Sequence, residues 1–256
     1  MKAKRCNKRL IVYEILNVIG NPFIAFFGIV FPVMMLMIIT VSLKKQVPAS
    51  MLQESNTAVF ITMSLVIPMA VILLGHAANY SQELEKEIPI RLQLFGFRAN
   101  SIMIAKVIAQ TITLTAGLIF YTVVSYLFVD LQVPRLASAI CLIVCLYILG
   151  ILYFLFAHGL SNILKKFGPT YSISMLLYFG IMLLCGMMGI QTEQLPKFLK
   201  GIASFLPMSY ISSDFIDFWQ EGSYNFGPLI QAFLFFGAVC GLLLLYANYR
   251  NRRVIK

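Results

Sequence analysis

The sequence predicts an all-α membrane protein with six spanning helices, and three observations carry that prediction. Hydrophobic residues make up 60% of the 256, only 12% are charged, and mean hydropathy is +0.86. Soluble domains are usually about 45–50% apolar and about 25% charged, so lipid must cover much of this chain. Six apolar runs each reach the length of about 20 residues that carries a helix across ~30 Å of hydrocarbon. Lys and Arg, finally, are divided unequally between alternate connections. Strands are excluded, because unpaired backbone groups are too costly in lipid and the runs lack the alternation of a barrel wall.

In chain order, the first element is an amphipathic helix over about Lys8–Gly20. Leu10, Ile11, Ile15, Val18 and Ile19 recur at helical spacing, while Asn7, Glu14, Asn17 and Asn21 fall on another face. With its basic start, such a helix suits the headgroup plane, as a juxtamembrane anchor or as an elbow that contacts a cytoplasmic partner. Asn21 followed by Pro22 ends it, since the residue before proline avoids the helical region. The basic start runs into Glu14 and Asn17 with no small-residue cleavage site, so no cleavable signal peptide is expected.

The spans are predicted at Phe23–Leu43, Thr57–Ala78, Ile102–Phe128, Ala137–Leu160, Tyr171–Ile190 and Phe226–Ala247. They form one membrane domain covering residues 1–256, since no long polar stretch remains for a second fold. Pro32, Pro68, Gly75 and Gly117 are candidate bending points.

Six spans put both termini on one side. That side takes fifteen of the twenty Lys and Arg, from Lys2, Lys4, Arg5, Lys8 and Arg9 at the start to Arg250, Arg252, Arg253 and Lys256 at the end; Lys44, Lys45, Arg135, Lys197 and Lys200 fall on the other. The expectation is a multi-pass protein of the cell (plasma or inner) membrane with cytoplasmic termini. The net charge of +10 is then a topology signal, and a nucleic-acid partner is not expected.

The loop from Tyr80 to Arg98, between spans two and three, is the densest charge cluster. Glu83 and Glu87 share a helix face, and Glu87 and Arg91 stand at pairing distance if the helix continues, although Pro89 breaks it. Leu84, Ile88, Leu92 and Phe95 add an apolar stripe. A short amphipathic element with both charge signs can dock on another protein, or it is simply a solvated loop. On the other side, Gln191–Pro228 is too long to be structureless. Leu195, Phe198, Leu199, Ile202, Phe205 and Leu206 make one stripe; Ile211, Phe215, Phe218 and Trp219 make a second, with Asp214, Asp217 and Glu221 opposite. Two short interfacial helices are expected, with Trp219, Tyr210 and Tyr224 at headgroup level. They either cap a pathway or pack passively.

Several chemistries find no residues. No GxxxxGK[ST] occurs, so the chain has no P-loop for ATP, and no GxSxG occurs. Cys141, Cys145, Cys185 and Cys240 lie in apolar runs and Cys6 in the basic start, which reads as packing rather than disulfide or zinc chemistry. His76 and His158 are too few for a metal site and are expected to face the bundle and bond to neighbours. Glu87 to Arg91 reads ExxxR, Phe154 to His158 FxxxH and His158 to Asn162 HxxxN, which resembles pieces of the intramembrane glutamate proteases of the CAAX-processing type. That family has paired glutamates, where Lys86 stands here, and two later histidines, where only His158 follows. Lys106 sits near a span end, where it can snorkel. Without buried carboxylates, ion coupling is not expected, and energy must arrive from elsewhere or transport is passive, as in a channel.

The order of parts resembles the membrane subunit of ABC-2-type ATP-binding-cassette exporters over nearly the whole chain. The parts are a basic amphipathic start, two spans, a charged loop, three spans, an outer pair of short helices with a Leu-Pro motif (Leu206, Pro207, Met208, Ser209, Tyr210), a final span and a basic tail. The stretch Glu83 to Arg91, followed by Ala99 to Lys106, is similar to that family's coupling-helix region; Ile88-Pro89-Ile90 stands where members often carry a Gly-Thr or Gly-Ile pair. The resemblance implies two paired membrane subunits, as homodimer or heterodimer, and a separate ATPase at the cytoplasmic face that binds the ATP. Glu83, Glu85, Lys86, Glu87 and Arg91 would dock and couple that ATPase, a movement that needs differential contacts in two states. No catalytic residue, metal or cofactor of its own is implied. Apolar, Met- and Phe-rich spans and a compact size favour an amphipathic or hydrophobic cargo, a drug or antimicrobial peptide.

Overall fold

Asn7 starts the first helix with its side chain, accepting from the Leu10 amide at 2.9 Å, and the helix runs Lys8–Ile19. Asn21 repeats the device two residues past that helix, accepting from the Phe23 amide at 2.9 Å, with Pro22 in the first turn of the first span. The chain therefore turns from one helix into the next over only Gly20 and Asn21. The structure is a computed structural model and describes residues 6–189, 192–220, 222 and 224–254. Lys2, Lys4, Arg5, Ile190, Gln191, Glu221 and Lys256 lie outside the described residues.

Among the described residues six helices are long and apolar enough to cross a membrane: Pro22–Leu43, Ala49–Glu85, Ala99–Phe128, Leu136–Leu164, Phe167–Leu184 and Phe226–Asn251. The chain is an all-α membrane protein with six spans, as the apolar runs predict. Three boundaries differ most: the second span extends further at both ends, from Ala49 to Glu85, and the fifth ends earlier, at Leu184. The second span begins at Ala49, because Gln53, Asn56 and Thr57 are held by the segment after span three and need no aqueous loop. The fifth ends at Leu184, where Gly186 and Gly189 take positive φ and turn the chain out of the helix.

The second span is the axis of the bundle. Leu65, Val66, Ile67, Pro68, Met69, Ala70, Val71 and Leu74 are wholly buried, and the other spans are far more exposed along their outer faces. Pro68 lacks an amide for the preceding turn, and the helix widens into a π segment over Met69–Leu74. The first span widens likewise over Phe26–Val30, directly before Pro32. Gly75 directly follows the second π segment, whereas Gly117 lies in the uninterrupted helix Ala99–Phe128. The fourth span packs along the sixth: Gly159 lies against the Leu244 backbone and Tyr153 meets Phe236 edge-on at 5.8 Å.

The segment between spans five and six holds a short 3-10 turn at Thr192–Gln194 and three short helices, Lys197–Ala203, Pro207–Ser213 and Phe215–Gln220, one more than the two stripes suggest. Pro207 starts the second of these, and a turn at Asp214 divides what the sequence shows as a single stripe. Trp219 is buried rather than facing lipid: it packs on Phe60, and its Nε1 donates to the Gln132 carbonyl at 3.3 Å.

Candidate functional site

The second span runs into the charged loop at the end of the bundle that carries both termini. Its helix stops at Glu85; Glu87 takes left-handed angles (φ 57°, ψ 23°), and a new helix, Ile88–Leu94, begins with Pro89 in its first turn. The proline sets the direction of this short helix, having no amide to lose in a first turn. Glu85, Lys86, Glu87 and Arg91 are exposed around the break, and Ile90, Leu94 and Phe95 expose apolar surface beside them. Glu87 and Arg91 form no ion pair; only the Arg91 amide bonds to the Glu87 carbonyl, at 3.1 Å. Glu85 also accepts from the Phe167 amide at 2.9 Å, which places a carboxylate at the N-terminus of the fifth span, where the helix dipole favours it.

Glu83 departs from the exposed docking position that its sequence context suggests. It is buried on the inner face of the second span, with Glu14 and Lys106. Lys106 Nζ lies 2.8 Å from Glu14 Oε2 and 2.8 and 2.6 Å from the two Glu83 oxygens, and Asn17 Nδ2 donates to Glu83 Oε1 at 2.6 Å. Lys106 therefore does not snorkel, and the bundle does hold buried carboxylates, contrary to expectation. Burial pushes the Glu14 carboxyl above its ordinary value; the Lys106 charge opposes that rise and the Glu83 charge adds to it.

The N-terminal helix turns residues of both kinds inward. Glu14 joins the triad and Asn17 donates to it, Leu10 and Val18 of the apolar stripe are buried on the same side, and Asn21 donates to Asn79 Oδ1 at 2.6 Å while Asn79 donates to the Asn17 carbonyl at 3.1 Å. Val12, Tyr13, Leu16 and Ile19 are left exposed. Leu10 joins Ile102 and Ala105 in a small apolar cluster, against which Leu92 and Phe97 of the charged loop also pack. One helix thus touches the second span, the third span and the loop.

His76 and His158 come together on the neighbouring side. His76 Nε2 stands 3.4 Å from His158 Nδ1, both are buried, and Tyr80 and Phe154 stack with them. Among the described residues no three His, Cys, Asp or Glu side chains converge as metal ligands. All five cysteines are free thiols. A cavity of about 160 Å³ adjoins the cluster, lined by Tyr80, Pro89, Gln93, Asn100, Lys106 and His158 among others.

The other end of the bundle is strapped by the extended segment after span three. Gln53 Nε2 donates to Asp130 Oδ1 at 2.9 Å, the Gln132 amide to Thr57 Oγ1 at 3.0 Å, and Gln220 Nε2 to Gln132 Oε1 at 2.9 Å. Beneath the strap is an apolar cavity of about 140 Å³ bounded by Phe60, Leu118, Tyr121, Leu142, Leu146 and Trp219, among others.

The triad was hidden in the sequence, although one signal for it existed: the polar face of the N-terminal helix carries one acid among asparagines, Glu14, and Lys106 is a lone base inside an apolar run. Against known proteins, no curated protein and no solved structure matches the chain. The family described as ABC-2 type transporter does match, over residues 6–217, which takes in the N-terminal helix, five spans, the charged loop and the first two short helices after span five. The chain therefore belongs to the ABC-2 type transporter family and is a membrane-spanning permease of that class, not an ATP-binding cassette.

Proposed function

We propose that this permease works as one half of an ATP-driven exporter. A separate ATPase docks at the charged loop, and a second permease subunit, identical or related, completes the pathway. The observation that carries the reading is the exposed break at Lys86 and Glu87: it stands at the end of the most buried span, so a push there acts directly on the axis of the bundle. Glu85, Lys86, Glu87 and Arg91 form the docking surface, flanked by the exposed Ile90, Leu94 and Phe95. Glu83 couples from inside, by tying that break to the N-terminal helix through Lys106.

The termini are cytoplasmic in this reading, in a plasma or inner membrane, because the basic residues gather at their end. The cargo is amphipathic or hydrophobic, a drug or antimicrobial peptide. The apolar cavity under the outer strap supports that choice, as does the scarcity of charge along the spans apart from the triad. ATP belongs to the partner, and the chain itself carries no catalytic group. The test is to reconstitute the permease with an ABC ATPase that co-purifies with it and follow a fluorescent hydrophobic cation in vesicles. ATP-dependent movement from the loop side to the strap side is expected. Equal flux from the permease alone without ATP would overturn the exporter in favour of a channel.

A further inference from the structure

The triad has two carboxylates for one ammonium. If both are ionised it carries one excess negative charge, in a place where Glu14, Glu83 and Lys106 are each at least 95% shielded from solvent. An uncompensated buried charge is among the costliest features a fold can hold. Around it, the facing titratable groups are Tyr13 on the N-terminal helix, His76 and Tyr80 on the second span, and His158 on the fourth. None of these is a fixed cation.

A second observation says where compensation would sit. Glu14 Oε1 and Gln110 Oε1 are both buried oxygens with no hydrogen-bond donor from the protein. Glu14 and Gln110 line the same small cavity, with Asn17, Asn79, His76 and Lys106 around it. Its volume of about 10 Å³ is close to what one water-sized occupant needs. The unpartnered atoms are oxygens, which suit a hard cation or a proton and not a soft transition metal. We propose that this cavity binds one exchangeable monovalent cation, an alkali ion or a proton, which cancels the excess charge of the Glu14–Lys106–Glu83 triad and so fastens the N-terminal helix to the second and third spans.

The proposal stands independently of the export reading, since it concerns only the permease chain. Its test is the unfolding midpoint of the full chain in detergent. One arm compares sodium or potassium chloride with N-methyl-D-glucamine chloride at equal ionic strength and pH 8; the other varies pH from 5.5 to 8.5. An alkali ion predicts a rise of about 2–4 °C with the metal chloride. A proton predicts no alkali effect and a midpoint that falls as pH rises, because the fold favours the protonated carboxyl. In either case Glu14→Gln and Glu83→Gln must each abolish the response, since each removes the excess charge while keeping an oxygen for Lys106. Two variants guard against one failing to fold. Asp217→Asn, which alters an exposed carboxylate of the short helices after span five and not of the cavity, must leave the response in place. No response to either arm in the unsubstituted chain, responses in both carboxylate variants equal to those of the unsubstituted chain, or a response lost in Asp217→Asn alone, would overturn the proposal.

Discussion

The side chain of Ile24 fills the space where a Cβ on Gly75 would stand. The relation is returned one turn along, where Val71 of the second span fills the space above Gly28 of the first. Each glycine lies in or directly after a π segment, so the two spans approach where both helices are widened. Gly75→Ala must therefore push the spans apart or force Ile24 off its rotamer, at a cost of about 1–3 kcal/mol. Ile24→Ala makes room and should recover part of that loss. Midpoints for the two single variants and the double variant form a cycle; strictly additive losses would show that the contact is not the source.

Lys106 should be the least replaceable charge in the chain. Removing one partner of a buried ionic group costs about 3–5 kcal/mol, because the charge left behind is neither solvated nor paired. Lys106→Met leaves two buried carboxylates facing each other, so little folded protein is expected. The triple variant with Glu14→Gln and Glu83→Gln removes the stranded charges and should regain most of the yield. Size-exclusion profiles in detergent read the outcome, and a well-folded Lys106→Met single variant would contradict the ionic account.

The contrast between Lys106 and the spans marks what the sequence can and cannot disclose. Span number and approximate position follow from run length, because the hydrocarbon thickness fixes how many residues a crossing needs. The start of the second span at Ala49 is hidden because Gln53 and Asn56 look like loop residues until the strap from Asp130 to Gln132 is in place to bond them. Glu83 looks like its neighbours Glu85 and Glu87; the helix rotation turns Glu85 away from the buried face, the break after Glu85 carries Glu87 off it, and the partner of the buried Glu83, Lys106, lies on another span. Trp219 likewise reads as an interfacial anchor until Phe60 and the Gln132 carbonyl are seen beside it. Local patterns give elements, whereas these three sites depend on pairings that no local window contains.

Tyr121 joins the third span to the second at the strap end. Its ring stacks on Phe60 at 5.2 Å, 7° from parallel, and its hydroxyl donates to the Phe60 carbonyl at 3.0 Å. Tyr121→Phe keeps the stack and removes the donor, so a cost of about 0.5–1.5 kcal/mol is expected. Tyr121→Ala opens the apolar cavity beside it and should cost about 3–5 kcal/mol, as large aromatic truncations do. Equal losses in the two variants would mean that the hydroxyl, and not the ring, dominates the contact.

Charge reversals in the loop should separate docking from folding. Glu87 and Arg91 are exposed and form no ion pair with each other or with other described residues, so Glu87→Lys and Arg91→Glu should change the permease's own stability by no more than about 0.5 kcal/mol. If an ATPase docks there, both should weaken co-purification and lower transport-coupled ATP hydrolysis, and the loss should deepen at high salt less than it does for the unsubstituted pair, because the attraction being screened is already gone. Glu83→Lys belongs to a different class: it sets two ammonium groups face to face in the interior, so the permease should fail to fold before coupling can be measured. Glu85→Gln is intermediate, since an amide oxygen can still accept from the Phe167 amide while the charge at that helix end is lost. A Glu87→Lys permease that folds, binds its ATPase and drives full hydrolysis would remove the charged break from the coupling path, whatever the interior triad does.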